Sequence, residues 1–224
     1  MITTKLKDCT CKICGNSEKN IQYVAREMMY GINDEFIYFE CNVCHCLQIQ
    51  EFPKDMSKYY PDNYYSFGMY NGAKFKGIIG SIKRMQYSSL VNGGKVMRKI
   101  MAMVTRHNYY DIFEGLNVNE NTRILDVGCG NGRSFLYPLA EIGFKNLLGC
   151  DPYLKTPLVY ANGLQIMNSN VYDIKGTFDI ITFHHSFEHI DNPIENMGKI
   201  FELLAPNGVA IIRIPTVSSF AWEH

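Results

Sequence analysis

Residues 124–135 read ILDVGCGNGRSF, and this stretch decides how the second half of the chain folds. It opens with an apolar run interrupted only by Asp126, as in a buried strand, and it ends where a helical apolar pattern begins. Between the two, glycines occupy every second position, at Gly128, Gly130 and Gly132. Glycine takes positive φ without steric cost and lets a ligand approach the backbone. Because a helix that follows such a turn points its free N–H groups at whatever lies over it, we predict a nucleotide or cofactor cradle here.

A second acid, Asp151, ends the next apolar run, which covers residues 147–150. The carboxyl ends of neighbouring parallel strands lie at the same edge of a sheet, where open α/β sheets bind their ligands. A carboxylate at that edge can accept hydrogen bonds from both hydroxyls of a ribose. The glycine spacing is G-x-G-x-G, which differs from the G-x-G-x-x-G of dinucleotide-binding folds.

With these acids and glycines the chain resembles the class I S-adenosylmethionine-dependent methyltransferases. The resemblance implies a Rossmann-like, doubly wound parallel sheet with S-adenosylmethionine as cofactor. It also implies a set of cofactor-binding residues: Asp126, Gly128, Gly130, Gly132, Asp151 for the ribose, and Asn170 and Val171 near the adenine. Two alternatives stay open, namely a Rossmann-like fold that holds another nucleotide and a decayed, non-catalytic copy.

The composition fits one full core with a small appendage, because 46% of the 224 residues are hydrophobic. The sequence contains no apolar run near the length of a membrane span and no secretory signal. We therefore expect a soluble, cytoplasmic protein without a membrane partner.

The net charge is zero, but the two halves of the chain differ in sign. Residues 1–110 hold 15 Lys and Arg against 9 Asp and Glu, whereas residues 111–224 hold 7 against 13. No acidic residue occurs between Asp62 and Asp111. This basic stretch fits either a solvated helical face or a surface for an anionic acceptor, such as a nucleotide-linked sugar, a phosphorylated polymer or RNA.

Two C-x-x-C pairs, separated by 26 residues, lie near the N-terminus: Cys11, Cys14, Cys41 and Cys44. Four thiolates at this spacing can bind Zn²⁺ tetrahedrally. We predict a zinc-ribbon-like module over residues 1–52, with a redox dithiol as the alternative. Cys9, His45 and Cys46 are expected not to be ligands. A structural zinc explains the site, since so short a segment rarely folds without a metal or disulfide.

Residues 53–116 are predicted to be a tyrosine-rich linker and a helical cap. The linker carries four tyrosines that either pack between module and core or line an acceptor pocket: Tyr59, Tyr60, Tyr64 and Tyr65. Helical apolar spacing covers residues 75–84 and 96–113, with a break at Asn92, Gly93 and Gly94. The resemblance implies that these helices cover the cofactor.

Residues 117–224 alternate between strand and helix patterns, which predicts an α/β fold with a parallel sheet. Further strands are expected at 164–167, 178–183 and 209–214, and a turn at 206–208. The sheet of the family ends in an antiparallel hairpin, but only ten residues follow Ile214. We therefore expect this hairpin to be missing, the chain to be truncated, and the last strand to be an exposed edge that allows self-association.

The fourth strand runs into four candidate catalytic residues: His184, His185, Glu188 and His189. The resemblance implies an in-line attack on the sulfonium methyl, for which the protein holds the acceptor and takes its proton. Histidine has a suitable pKa for a general base, and we favour His185. Alternatively, Glu188 and His189 cap the following helix and orient the methionyl end of the cofactor.

A zinc ribbon, a tyrosine-rich linker and this core together resemble bacterial methyltransferases of nucleotide-linked sugars or other polysaccharide precursors. The resemblance implies a small or carbohydrate-type acceptor. A ribosomal-RNA base methyltransferase is the alternative, although a neutral chain is unusual for an RNA-binding protein. A non-catalytic zinc- and cofactor-binding module that acts through partners is a third hypothesis.

Overall fold

The structure is a computed structural model that describes residues 9–61, 64, 66–94, 96–97, 99–100, 103 and 110–216. The chain divides into two compact units. The described residues of the first unit come from Met1–Pro61, Ile190–Met197 and Pro215–His224, and those of the second from Asp62–His189 and Gly198–Ile214.

The first unit contains a three-stranded antiparallel sheet, formed by β1 (Ile21–Arg26), β2 (Glu35–Glu40) and β3 (Leu47–Ile49) in that spatial order. Its buried cluster is small, consisting of Phe39 and three cysteines. So small an apolar core gives little stability by itself, which fits the metal-dependent module expected from the sequence.

The second unit contains the predicted parallel sheet. Its strands are β4 (Ile124–Val127), β5 (Leu147–Cys150), β6 (Leu158–Val159), β7 (Gln165–Met167), β8 (Phe178–His184) and β9 (Leu204–Arg213). The spatial order is β6-β7-β5-β4-β8-β9, so the strand before the glycine turn is central. All neighbours are parallel except β6, which pairs antiparallel with β7. The two-residue β6 was not predicted, because so short a strand has no readable alternation.

Three α-helices have both ends within the described residues: α1 (Gly77–Asn92), α2 (Leu136–Glu141) and α3 (Pro193–Leu203). Residues 96–97, 99–100 and 103 are also helical. Helix α1 ends at the predicted break and is longer than its apolar spacing suggested. Much of the second predicted cap helix, residues 96–113, lies outside the described residues. Within the described ranges, no helix combines the length and the hydropathy that crossing a membrane requires.

The predicted turn at residues 206–208 lies within β9, which begins at Leu204 and not at Val209. Leu204 pairs with Phe178 and Val209 with Ile180, so four residues on β9 oppose one on β8. Asn207 absorbs this irregularity with a φ of 64°, a conformation that asparagine tolerates better than most residues. Within the described residues, β9 pairs only with β8, as expected of an edge strand.

A cluster of aromatic side chains packs the start of α2 against the residues before β4. The rings of Tyr110 and Phe135 stack with centroids 5.7 Å apart, and the Tyr110 hydroxyl donates to the carbonyl of Phe135 at 3.1 Å. Phe113 lies against both rings. This packing holds the end of the glycine turn rigidly in the core.

Gly80 allows α1 to pass close to the backbone of Phe75. A Cβ at Gly80 would overlap the Phe75 carbonyl, whose oxygen also accepts a hydrogen bond from Arg84 at 2.8 Å. We expect Gly80→Ala to lower the free energy of unfolding, measured by urea titration, by about 1–3 kcal/mol. Gly198→Ala in α3 is the matched control; its Cβ meets nothing within 4 Å, and we expect a gain of up to about 1 kcal/mol. Equal effects of the two substitutions would contradict the close approach.

Candidate functional site

The glycine turn after β4 accepts no other residue type at its three glycines. Gly128, Gly130 and Gly132 have φ values of 70°, 56° and 68°. A Cβ at Gly130 would lie 2.7 Å from the Ser66 carbonyl oxygen, and one at Gly132 would lie 2.9 Å from Ile166 Cδ1. The glycines therefore let other segments of the second unit, Ser66 and Ile166 among them, approach the backbone of the turn closely.

Asp151 is bonded to this turn. Its Oδ2 accepts a hydrogen bond from the backbone N–H of Gly130 at 2.8 Å, and its Oδ1 accepts from that of Tyr153 at 3.0 Å. Burial raises the pKa of Asp151, and these two donors oppose the shift. Each carboxylate oxygen retains a further lone pair, so Asp151 can still accept hydrogen bonds from ribose hydroxyls.

Asp126 lies at the end of β4, next to the same edge, and is almost fully buried. The Thr182 hydroxyl donates to its Oδ1 at 2.8 Å, from the paired position on β8. Burial, together with the charge of Asp151, raises the pKa of Asp126 to about 7 although the Thr182 hydrogen bond lowers it. Sequence reasoning missed Thr182; its only signal was a polar residue between the apolar Ile181 and Phe183.

Asn131 fastens a segment of the linker over the glycine turn. We call this segment, Ser66–Gly68, the strap. The backbone N–H of Asn131 donates to the Ser66 carbonyl at 2.7 Å, and its side-chain amide donates to that of Gly68. The Tyr160 hydroxyl donates to the Asn131 carbonyl at 2.7 Å. Asn131 is only 2% exposed, so these contacts hold a buried polar side chain in place.

The linker tyrosines differ in their surroundings. Tyr59 packs against Phe36 with ring centroids 5.4 Å apart and donates to Asp34 at 2.6 Å, within the first unit. The Tyr64 ring lies 4.8 Å from that of Phe67 in the strap. Tyr65 lies outside the described residues. Tyr59 thus packs inside the first unit, and both predicted roles of the tyrosines, packing between module and core and lining an acceptor pocket, stay predictions.

His184 and His185 end β8 in different environments. The His184 ring lies 4.5 Å from that of Phe135, and burial, aided by the charges of Arg213 and His185, lowers its pKa to about 4. A neutral imidazole of that pKa is a weak base. The His185 side chain is half exposed, with Nδ1 3.9 Å from Glu188 Oε1. Its φ of 55° is uncommon for a residue other than glycine and is typical of functional sites.

Glu188 and His189 belong to a 3₁₀ turn, Phe187–His189, that follows the histidines. The neighbouring Ser186 hydroxyl donates to the Val127 carbonyl at 2.6 Å, which ties this segment to the glycine turn. Glu188 Oε2 is buried and has no hydrogen-bond partner among the described residues. A buried carboxylate oxygen of this kind fits a donor from a bound ligand.

Asn170 and Val171 follow β7 and so lie at the same edge of the sheet as Asp151. Asn170 caps the 3₁₀ turn Val171–Asp173 by accepting from the backbone of Tyr172 at 2.9 Å, and Val171 is buried. The hydroxyl oxygen of Ser169 is buried without a partner among the described residues. The predicted contact of this loop with adenine stays a prediction.

The four cysteines of the first unit form the expected cluster. All four sulfur atoms lie within 4.8 Å of one another, with Cys11 and Cys44 3.6 Å apart and Cys14 and Cys41 3.5 Å apart. Each C-x-x-C pair forms a knuckle, a tight loop that ends with a residue at positive φ. This residue is Gly15 in the first knuckle and His45 in the second. The cluster contains neither Cys9, Cys46 nor His45, as the sequence predicted.

The electrostatics of the cluster favour a bound cation. Backbone N–H groups, first that of Cys44, lower the pKa of Cys41 to about 6. The pKa of Cys44 rises instead to about 12, because burial and the neighbouring sulfurs outweigh a backbone N–H from Cys46. Four adjacent thiols cannot all ionise without a positive charge between them, and Zn²⁺ supplies that charge.

Gln48 is a contact of the cluster that sequence reasoning missed. Its Nε2 donates to Cys11 Sγ at 2.9 Å, and its Oε1 accepts from the backbone N–H of Lys12 at 2.9 Å. The second bond fixes which end of the amide faces the sulfur. Such outer contacts orient metal ligands.

Comparisons with known proteins identify the family to which the chain belongs. The family model described as "Methyltransferase domain" matches residues 97–224. EEF1A lysine methyltransferase 2 of Danio rerio is 32% identical over 126 residues, which is 47% of this chain and 53% of that protein. Ubiquinone biosynthesis O-methyltransferase of Rickettsia canadensis is 32% identical over 122 residues, or 50% and 48% of the two chains. This chain thus spans about half the length of the curated relatives it matches.

Among solved structures, the plantazolicin methyltransferase bound to SAH is 18% identical over 58% of this chain and 57% of that chain, with a TM-score of 0.38. Magnesium protoporphyrin IX methyltransferase from Synechocystis PCC 6803 with bound SAM is 16% identical over 69% and 74%, with a TM-score of 0.35. The family model covers more than half of the chain, which confirms the resemblance carried by the glycine turn and its two acids. The chain belongs to the methyltransferase-domain family.

Proposed function

We propose that the chain is an S-adenosylmethionine-dependent methyltransferase for a small or carbohydrate-type acceptor, such as a nucleotide-linked sugar. The observation that carries this proposal is the buried Asp151 carboxylate, which follows β5 directly and is bonded to the backbone of the glycine turn. When bound, S-adenosylmethionine supplies an activated methyl group together with its own leaving group. The chain then has to hold the cofactor, orient the acceptor and accept its proton.

In this proposal the cofactor residues are those predicted from the sequence. Asp151 accepts the ribose hydroxyls, and the turn at Gly128, Gly130 and Gly132 lets the nucleoside approach the backbone. The buried Asp126 carboxylate is held at the end of β4 by the Thr182 hydroxyl. Asn170 and Val171 line the adenine.

His185 is our candidate for the base that accepts the acceptor's proton. Its ring is half exposed, whereas the buried His184 has too low a pKa to hold a proton. Glu188 lies within reach to stabilise an imidazolium at His185. The cap of α3 is Asn192, whose side-chain oxygen accepts a hydrogen bond from the backbone N–H of Glu195, so the capping role does not fall to His189.

We propose that the three predicted segments have separate roles. Residues 1–52 form the zinc module, residues 53–116 form the linker and cap, and residues 117–224 form the cofactor-binding core. The first compact unit reaches Pro61, so the linker begins within it. Zinc has a structural role here, since four cysteines leave no open coordination position.

Calorimetric titration with S-adenosylmethionine and S-adenosylhomocysteine tests the cofactor site. We expect Asp151→Ala to weaken both affinities about 10- to 100-fold, because hydrogen bonds to a charged group are lost. Glu202→Ala removes a carboxylate whose side chain is 71% exposed, and this control should bind like the wild type. Equal affinity of Asp151→Ala and wild type would overturn the proposed site.

The same titration distinguishes the proposed role of His185 from that of its neighbour Glu188. We expect His185→Gln to keep the wild-type cofactor affinity, within about twofold. Glu188→Gln should weaken it, because in this proposal the buried Glu188 oxygen accepts a hydrogen bond from the cofactor. Release of S-adenosylhomocysteine in the presence of nucleotide-linked sugars, phenolic small molecules or an RNA fragment then identifies the acceptor class. Turnover by His185→Gln at the wild-type rate would exclude His185 as the base. Turnover with RNA alone would favour the ribosomal-RNA alternative.

Two glutamines of the first unit form a matched pair for the zinc site. Gln48 donates to the ligand Cys11, and Gln22 donates to the non-ligand Cys9, each at 2.9 Å. In chelator competition we expect Gln48→Leu to lower the zinc affinity about tenfold and Gln22→Leu to leave it unchanged. Equal affinities of the two variants would remove Gln48 from the metal site, and a loss in Gln22→Leu alone would make Cys9 a ligand.

A further inference from the structure

Each of the four polar atoms of Asn131 has a hydrogen-bond partner within the second unit. Its backbone N–H donates to the Ser66 carbonyl and its Nδ2 to the Gly68 carbonyl, so both ends of the strap are bonded to this one residue. Its carbonyl accepts from the Tyr160 hydroxyl, and its Oδ1 accepts from the backbone N–H of Arg133 at 3.2 Å. A buried polar side chain with a full set of partners holds the segments that it joins in one arrangement.

The strap, bonded in this way, lies directly against Gly130. A Cβ at Gly130 would lie 2.7 Å from the carbonyl oxygen of Ser66 and 2.9 Å from its Oγ, which is closer than such atoms pack without shifting. The N–H of Gly130 donates to Asp151 Oδ2 at 2.8 Å. Glycine rotates more freely than any other residue unless its neighbours restrain it, and Ser66 is such a neighbour. The strap and the carboxylate therefore contact the same residue of the turn.

We propose that Asn131 is a positioning residue of the cofactor site, acting on Asp151 through the strap and Gly130. By holding Ser66 against Gly130, it fixes the direction of the Gly130 N–H, and this N–H orients the Asp151 carboxylate. A carboxylate that is oriented before the ligand arrives binds a ribose with a smaller loss of entropy. This role rests on the proposed function, in which Asp151 binds the ribose of the cofactor.

The alternative is that Asn131 only stabilises the second unit, as a buried amide with four partners does wherever it lies. The two roles differ in a variant that lacks the Asp151 carboxylate. Positioning acts through that carboxylate, so its effect on ligand affinity disappears when the carboxylate is removed, whereas an independent contribution to the fold persists. The loss from positioning is bounded, because the backbone N–H of Tyr153 also donates to Asp151 and does not belong to the turn.

A double-mutant cycle, measured by calorimetric titration with S-adenosylhomocysteine, distinguishes these two roles. We expect Asn131→Ala to weaken binding about tenfold when Asp151 is present, and less than about twofold in the Asp151→Ala background. Tyr160→Phe guards against a folding failure of Asn131→Ala, since it keeps the buried ring and removes only the hydroxyl that donates to the Asn131 carbonyl. It should show the same pattern, with about a threefold loss when Asp151 is present.

Asn146→Ala is the matched control for the cycle. Its side-chain amide donates to the Asn121 carbonyl at 2.7 Å, just before β4 and β5 begin and therefore at the opposite edge of the sheet from Asp151. This variant should leave the affinity unchanged in both backgrounds. A loss from Asn131→Ala that is equal in the two backgrounds, or no loss in either, overturns the proposal.

Amide hydrogen exchange of the ligand-free chain, followed by NMR, tests the same contact without the cofactor. The N–H of Ile124, which donates to the Asn146 carbonyl at 2.9 Å, reports unfolding of the sheet. In Asn131→Ala and in Tyr160→Phe, we expect the exchange rate of the Gly130 N–H to rise at least about fivefold more than that of Ile124.

The exchange rates keep the failure of this proposal distinct from a failure of the proposed function. A wild type that binds neither S-adenosylmethionine nor S-adenosylhomocysteine contradicts the proposed function, and the exchange at Gly130 then decides the positioning role. A rise that is confined to the glycine turn still supports that role. A rise at Gly130 no larger than that at Ile124 overturns it.

Discussion

The hydrogen bond from the Gly130 backbone to Asp151 is the contact on which the rest of the site depends. At 6% exposure, the Asp151 carboxylate is costly unless donors face it, and the turn supplies one at 2.8 Å. The N–H of Gly130 faces Asp151 only because the turn takes positive φ. The backbone N–H of Gly128 also donates to the Cys150 carbonyl at 2.8 Å, which extends the pairing of β4 and β5 into the turn. The same glycines thus provide both the conformation of the turn and its backbone donors.

The parts of this site that the sequence predicted are those specified locally. A strand, a glycine at every second position and an acid after the next apolar run need only their own neighbours in the chain, and each was found where expected. The strap, Asn131 and Thr182 were missed because their partners lie far away in the sequence. Asn207 shows the same limit, since the proline–asparagine–glycine turn was visible but its inclusion in β9 follows from pairing with β8.

In the first unit, a metal site takes the place of a large hydrophobic core as the source of stability. Its buried apolar cluster consists of Phe39 and cysteines, which is too little to order three short strands without a bound ion. The sequence revealed the ligands because their spacing is fixed by the knuckle. It did not reveal that His45 repeats the left-handed turn of Gly15, because a histidine seldom takes that conformation. Nor did it reveal Gln48, which reaches Cys11 from a different strand.

His184 and His185 show why sequence alone could not choose between adjacent candidates. Successive side chains of a strand point to opposite faces, so one of the two histidines has to enter the core. His184 does so against Phe135, and burial keeps its imidazole neutral. His185 leaves the strand at a φ of 55° while its N–H still bonds to the Arg213 carbonyl at 2.9 Å. Strain of this kind persists only where the surroundings enforce it, and here both the hydrogen bond to β9 and the Ser186 bond to β4 do so. The strand therefore holds His185 at the sheet edge next to the glycine turn, and this placement distinguishes two residues that look equivalent in the sequence.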